Sequence, residues 1–395
     1  MSQYITPPVS PTALALPGAC TGALQSLLVI VLPIILALTG LEIGQLSPIL
    51  GIAALGFLVG GYAWPRRVIP GHRRRLLERL LLAATVSQVV FIAALSASAL
   101  ELIGTAMLAA LLFVARFAYG LTASGVFPTA QAWAASEYPG HARHGALTRM
   151  SATVHTGRVL IPLAAAALAM YWPEGILTLL VILPFIARLL LPHERASQED
   201  VPLTAPTNRW PEATIALPIV LIHMSVGLAE FIIGPYLAAE WNIALSHAPA
   251  YTALLLAGIA ACMVLAQLVS LHYRLNPCSL LVWAPVGMAL GTALAAVYPL
   301  ALPAGLALVA VALALILPAS AAGAAANRSL HTQPQAGADL YTARILGHLL
   351  GVTAAGPLFE VATHLPLVTA AVLALMAIPA TAGLRRALTT QAIYK

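Results

Sequence analysis

The sequence predicts an all-α membrane protein, with twelve transmembrane helices in two six-helix bundles and both termini cytoplasmic. Three observations carry this expectation. First, 61% of the 395 residues are hydrophobic and only 8% are charged. At about 20 apolar residues per bilayer crossing, that supply furnishes about twelve helices and leaves little for an aqueous domain. Second, Lys and Arg gather in alternate connections between apolar runs, as expected when basic loops stay on the cytoplasmic side. Third, the only long polar linker in the interior falls at mid-chain and holds Glu194, Arg195, Glu199, Asp200 and Arg209.

The same composition excludes other classes. A mean hydropathy of +0.92 is incompatible with a soluble enzyme, a nucleic-acid binder or a disordered tail. The net charge of +6 is spread over short connectors, so membrane topology explains it better than nucleic acid does. Cys20 and Cys262 lie in apolar runs and Cys278 in a connector, with no CxxC pair, so metal and redox chemistry drop out. No Lys or Arg precedes Arg66, so the apolar run from Leu16 reads as a first membrane helix and not as a cleaved signal.

In order, a cytoplasmic tail (1–15) leads into a first bundle (16–192) with helices at 16–38, 45–64, 76–97, 103–125, 147–169 and 175–192. A cytoplasmic linker (193–212) follows. The second bundle (213–384) has helices at 214–237, 249–270, 279–298, 300–320, 340–362 and 365–383, and 385–395 is a cytoplasmic tail. Odd-numbered connections contain no Lys or Arg, only acids such as Glu42, Glu101, Glu174 and Glu240. Even-numbered connections collect Arg66, Arg67, Arg73 to Arg75, then Arg143, Arg195, Arg209, Arg274 and Arg328. Trp64, Trp172 and Trp241, near helix ends, read as interfacial anchors.

Ionisable groups in mid-membrane cost at least ~2.5 to 3.5 kcal/mol each, so every one is a functional candidate. The fourth helix supplies Arg116, the fifth His155 and Arg158, the seventh His223 and Glu230, and the eleventh Arg344 and His348. His155 and Arg158 stand i,i+3, Arg344 and His348 i,i+4, and His223, Gly227 and Glu230 form one stripe. Arg158 lies ~18 Å into its helix, near mid-bilayer, where it has little chance to snorkel. Blander readings stand beside these. Arg344 is read as snorkelling from the end of the eleventh helix. His223 is equally well a neutral ring bonded to a backbone carbonyl, Arg116 a structural group, and Glu230 a solvated rim acid.

Three stretches resemble the major facilitator superfamily, most closely its drug and metabolite efflux branch. Gly60-Gly61-Tyr62-Ala63-Trp64-Pro65-Arg66-Arg67, with Arg73 to Arg75, is similar to the family's glycine, aspartate and basic cluster after helix 2, with Trp64 or Pro65 at the aspartate position. Arg116-Phe117-Ala118-Tyr119-Gly120 resembles the Arg-x-x-Gln-Gly signature of helix 4, with Tyr119 in place of glutamine. Gly157-Arg158-Val159-Leu160-Ile161-Pro162 resembles the antiporter motif of helix 5, with Ile161 in place of its second glycine. The pair Gly347-His348, 190 residues after Gly157-Arg158, suggests matching walls of one cavity in the two repeats. The resemblance implies alternating access about a cavity lined by helices 1, 4, 5, 7, 10 and 11. It also implies a part for Arg116 in proton coupling and conformational roles for Gly61, Arg66, Arg67, Gly120, Gly157 and Pro162.

The sequence has no Walker A loop, His-Glu-x-x-His pair or Gly-x-Ser-x-Gly elbow, so an ATPase is excluded and an intramembrane enzyme is the weaker class. The expected function is secondary transport without a cofactor, driven by the proton gradient. The expected substrate is a small organic anion, such as a siderophore or carboxylated metabolite, moved out across the inner membrane. It would be bound by Arg158, His155, His348 and His223, with Glu230 as proton carrier. A broad drug efflux pump and a proton-coupled importer of a similar anion remain open. The expected partners are the substrate and the bilayer, with no nucleic acid, around a monomer.

Overall fold

Prolines, glycines and a few acids decide where the helices start and stop. Pro11 opens α1 (Pro11–Thr39), whose end is set by Gly40 in the left-handed region at φ 63°. Glu42 and Gln45 form a reciprocal capping box that starts α2 (Ile43–Ala63). α3 (Arg73–Ala99), α4 (Thr105–Glu137), α5 (His141–Tyr171) and α6 (Ile176–Leu189) complete the first half. The second half contains α7 (Ala213–Phe231), α8 (Ile233–Glu240), α9 (Ala248–Tyr273), α10 (Pro277–Val297), α11 (Leu302–Ala326), α12 (Gln333–Val361), α13 (Leu365–Ala380) and α14 (Ala382–Ile393). The computed structural model describes residues 9–67, 71–138, 141–194, 212–273, 275–326 and 333–393.

Among the described residues ten helical stretches are long and apolar enough to cross a membrane. α6, with 14 residues, is shorter than a full crossing, and α12 carries Arg344, His348 and Glu360 within its apolar run. The helix expected at 214–237 is broken at Ile232. Pro235 has no N–H to offer the carbonyl of Phe231, so the ladder is interrupted there and α8 continues as a separate segment. α4 runs through Pro128 to Glu137, α12 starts seven residues before the expected 340, and α14 forms where the sequence reading placed a tail.

Packing repeats between the halves. In the first, α1 packs on α5 and α6, and α3 on α4 and α6; in the second, α7 packs on α12 and α13, and α10 on α11 and α13. The halves meet where α2 lies along α12 and α5 along α9. Small residues make these approaches possible. A Cβ at Gly120 of α4 would overlap the Ala53 carbonyl oxygen of α2, and Cβ atoms at Gly347 and Gly351 of α12 would strike the Val220 and Met224 carbonyls of α7.

The apolar core is not the same at the two ends. Toward the acid-fringed end, which carries Glu42, Glu101 and Glu174, one continuous core joins both halves: Leu27, Ile30 and Ile34 of α1 are clustered with Phe231, Tyr236, Leu237 and Val352. Toward the arginine-rich end each half keeps its own core. Leu14, Leu77, Val126 and Trp133 belong to one, and Ile215, Leu281, Met288 and Ile316 to the other. The halves are thus fused at one end and separate at the other.

Candidate functional site

Between the halves, below the fused core, lies a cavity of about 70 Å³ whose lining includes Gln25, Phe57, Arg116, Glu230, Phe231 and His348. The helix contacts described above put these side chains there. α7 and α12 are pressed together backbone to backbone at Gly227, Gly347 and Gly351, so Glu230 and His348 share one wall. α4 is drawn onto α2 at Gly56 and Gly120, which brings Arg116 to the opposite wall.

Arg116 is only 4% exposed, and its Nε has no hydrogen-bond partner among the described residues. Its guanidinium carbon lies 4.9 Å from the ring centre of Tyr119 and 5.8 Å from that of Phe91. Aromatic faces therefore partly replace the hydration that the buried charge has lost. Tyr119 also donates to the Thr21 carbonyl at 3.3 Å and meets Phe57 edge-on.

Arg158 projects from α5 against α1, where a Cβ at Gly22 would lie 3.5 Å from its Nε. Its charge is within reach of Glu230 on α7, across the boundary between the halves, without a contact ion pair. Both side chains are half-buried. His348 is half-buried as well and feels the charges of both Glu230 and Arg344.

His223 is buried and its ring is fully engaged. Nδ1 lies 3.0 Å from the Ile219 carbonyl, and Nε2 accepts the Nε–H of Arg344 at 3.1 Å. An acceptor facing Nδ1 and a donor facing Nε2 fix the tautomer: the proton is on Nδ1 and the ring is neutral. The snorkelling reading of Arg344 is corrected here. Because α12 starts at Gln333, Arg344 sits eleven residues, ~16 Å, inside its helix. It turns inward to His223 and feels the charge of Arg158.

The motif residues are placed as follows. Gly157 packs on Ala19 of α1, and Pro162 lies buried within an unbroken α5. Gly61 faces Tyr341 of α12, where a Cβ would make ordinary contact. Arg67 stacks 5.4 Å over the Trp64 ring. Trp64 is not an interfacial anchor. Its indole Nε1 donates to the Leu121 carbonyl at 2.5 Å, and its ring fills the space left by Gly125 of α4. The side chains of His155 and Arg66 lie outside the described residues, as do Arg143, Arg195, Arg209, Arg274 and Arg328.

Sequence reasoning missed Gln25, a polar residue in the apolar run of α1 that reaches the cavity. Its polarity amid Leu24, Ser26 and Leu27 was the available signal. It also missed Glu360, an acid near the end of α12 that accepts the backbone N–H of Gly44 in α2 at 2.6 Å. Among the described residues no group of three His, Cys, Asp or Glu could hold a metal ion.

Apolar helices of crossing length around a central cavity that holds Arg116, Glu230 and His348 define a multi-pass membrane protein. Its fold is the major facilitator fold. The chain is similar to a bacterial homologue of the human lysosomal transporter Spinster in an inward-facing, occupied conformation, with TM-score 0.66 and 17% identity over 97% of this chain and 93% of that one. It is also similar to the E. coli xylose transporter XylE in an inward open conformation (0.71, 13%, 93% and 94%) and to the nucleoside transporter NupG (0.68, 13%, 98% and 99%). No protein-family model and no curated protein matches the sequence.

Proposed function

We propose that the protein is a secondary transporter of small organic anions, working by alternating access across the inner membrane. In this reading the chain crosses the bilayer twelve times with both termini cytoplasmic, α7 with α8 and α13 with α14 counting as one crossing each. The arginine-rich end then faces the cytoplasm. The fused core closes the outer end and the separate cores leave the inner end free to part, as in the inward-facing neighbours.

The observation that carries the substrate class is the charge of the cavity. Arg116 and Glu230 line the cavity and Arg158 lies within electrostatic reach of that single carboxylate, so a cationic substrate would find few counter-charges and an anion would find a guanidinium. Siderophores and carboxylated metabolites fit this chemistry. Arg158 is the carboxylate clamp, Glu230 the proton carrier, and His348 and His223 shape the walls.

Export is what the Gly157 to Pro162 resemblance favours. One observation favours import instead. Glu230 and an incoming carboxylate compete for Arg158, so protonating Glu230 frees the guanidinium for substrate, and proton and anion bind better together than apart. Cooperative binding moves both in the same direction.

Transport of anionic and cationic compounds, measured in everted and right-side-out vesicles, tests the reading. Anion transport that is lost in Arg158→Ala supports it. Cationic dyes moving while anions do not, or Arg158→Ala leaving anion transport intact, replaces it with a drug exporter. Glu230→Gln is expected to abolish proton-driven accumulation while sparing substrate exchange. The vesicle orientation in which a proton gradient drives accumulation decides between export and import.

A further inference from the structure

A second cavity, of about 240 Å³, lies within the second half between α7, α11 and α12, lined by Ile219, Leu317, Ser320, Ala321, Tyr341 and Arg344 among others. Nothing in the proposed mechanism uses it. Two of its groups lack what a folded interior normally supplies. Ser320 is 1% exposed, and its Oγ has no hydrogen-bond partner among the described residues. A buried hydroxyl without a partner is costly, and so marks a place where a ligand or water completes the bonding.

Arg344 is the second. Its Nε–H is committed to His223, whose tautomer is locked by Ile219, so the guanidinium is held by its base with its outer edge toward the cavity. The neutral ring positions the charge without cancelling it. The three central guanidinium groups, Arg116, Arg158 and Arg344, are offset by one carboxylate, Glu230, which leaves two positive charges uncompensated. Arg158 and Arg344 come from opposite halves and repel each other. A monocarboxylate would settle one of them and leave the other.

We propose that this cavity is a second anion subsite, where Arg344, held by His223, and the Ser320 hydroxyl receive the distal carboxylate of a substrate whose first carboxylate is on Arg158. The proposal rests on the anion reading above and narrows it to di- and polycarboxylates. It also gives the substrate a mechanical role. By bridging α5 and α12, it replaces repulsion between the halves with attraction at the end where they are apart.

The test is direct binding, by calorimetry on the full chain in detergent without added lipid, using citrate and lactate as probes. Wild type is expected to bind citrate at least tenfold more tightly than lactate. Arg344→Ala should bring citrate to the lactate level and leave lactate unchanged. Ala321→Leu, which fills the cavity without touching a charge, should do the same and guards against misfolding of the arginine variant. Citrate binding no tighter than lactate in wild type overturns the proposal, as does citrate binding unaffected by both variants. Loss of both probes in Arg158→Ala with citrate intact in Arg344→Ala sinks the second subsite but keeps the clamp. Binding of either probe unaffected by Arg158→Ala overturns the anion reading itself.

Discussion

Glu360 of α12 accepts the backbone N–H of Gly44 in the first turn of α2 at 2.6 Å, joining the two halves through a carboxylate at a helix N-terminus. One turn further in, Ser47 Oγ donates to the Thr353 carbonyl at 3.2 Å, so the same two helices are tied again. A charge at that position contributes ~0.3 to 1 kcal/mol, and the Gly44 N–H is one of the free first-turn donors of α2. Glu360→Gln is therefore expected to raise the population open at the acid-fringed end by about 2- to 5-fold. The rate at which a membrane-impermeant thiol reagent added on that side modifies Val29→Cys reports it; an unchanged rate would show that the fused core alone holds the end shut.

Two glycine-to-alanine changes should have opposite signs. At Gly120 the added methyl has to displace the Ala53 carbonyl of α2, so Gly120→Ala is expected to lower thermal stability sharply and reduce yield. At Gly145, in the helical first turns of α5, nothing stands within 4 Å of the added atom. Gly145→Ala gains ~1 kcal/mol of helix propensity and should raise the melting temperature.

Trp64 holds α2 to α4 by filling the gap at Gly125 and by its bond to Leu121. Trp64→Ala is expected to cost about 3 kcal/mol, the low end for emptying a tryptophan site. Trp64→Asp puts a carboxylate into an indole-sized space. It should be no more stable than Trp64→Ala in thermal unfolding of the purified protein.

Arg116→Met separates stability from function. The arginine's charge is buried with an unpartnered Nε, and a methionine of similar length removes that desolvation cost while forgoing ~2 kcal/mol of aromatic attraction. The melting temperature is expected to stay level or rise, while anion transport falls at least tenfold. A variant that transports normally would make Arg116 a structural residue.

What the sequence made legible was whatever leaves a composition trace. Apolar runs located the helices, and the scarcity of charge within them singled out Arg116, Glu230 and His348, which line the central cavity. What it hid depends on where a helix begins. Arg344 looked like a snorkelling end residue only because α12 was expected to start at 340, and the seven residues before that are too polar to read as membrane. The break at Ile232 was equally hidden, since Pro235 alone does not say whether a helix bends or stops. Trp64 near a helix end matches an interfacial anchor in any membrane protein, and only the nearby Gly125 of another helix shows why an indole is needed there. Glu360 was lost because its partner is a backbone N–H, which carries no residue identity.

The fused core at the acid-fringed end has a thermal consequence. To open there, the protein must bring Leu27, Ile30, Phe231, Tyr236 and their neighbours out of mutual contact and into water, as a small domain does when part of it unfolds. Exposure of apolar surface raises heat capacity by ~0.45 cal/K/mol for each Å². In the proposed cycle, where closing the arginine-rich end buries less apolar surface than opening this end exposes, the two states differ in heat capacity and their balance follows a curved function of temperature. Turnover measured from cold to warm should bend on an Arrhenius plot without any change in which step is slow, because the same side chains that seal the acid-fringed end also weigh the two conformations differently at each temperature.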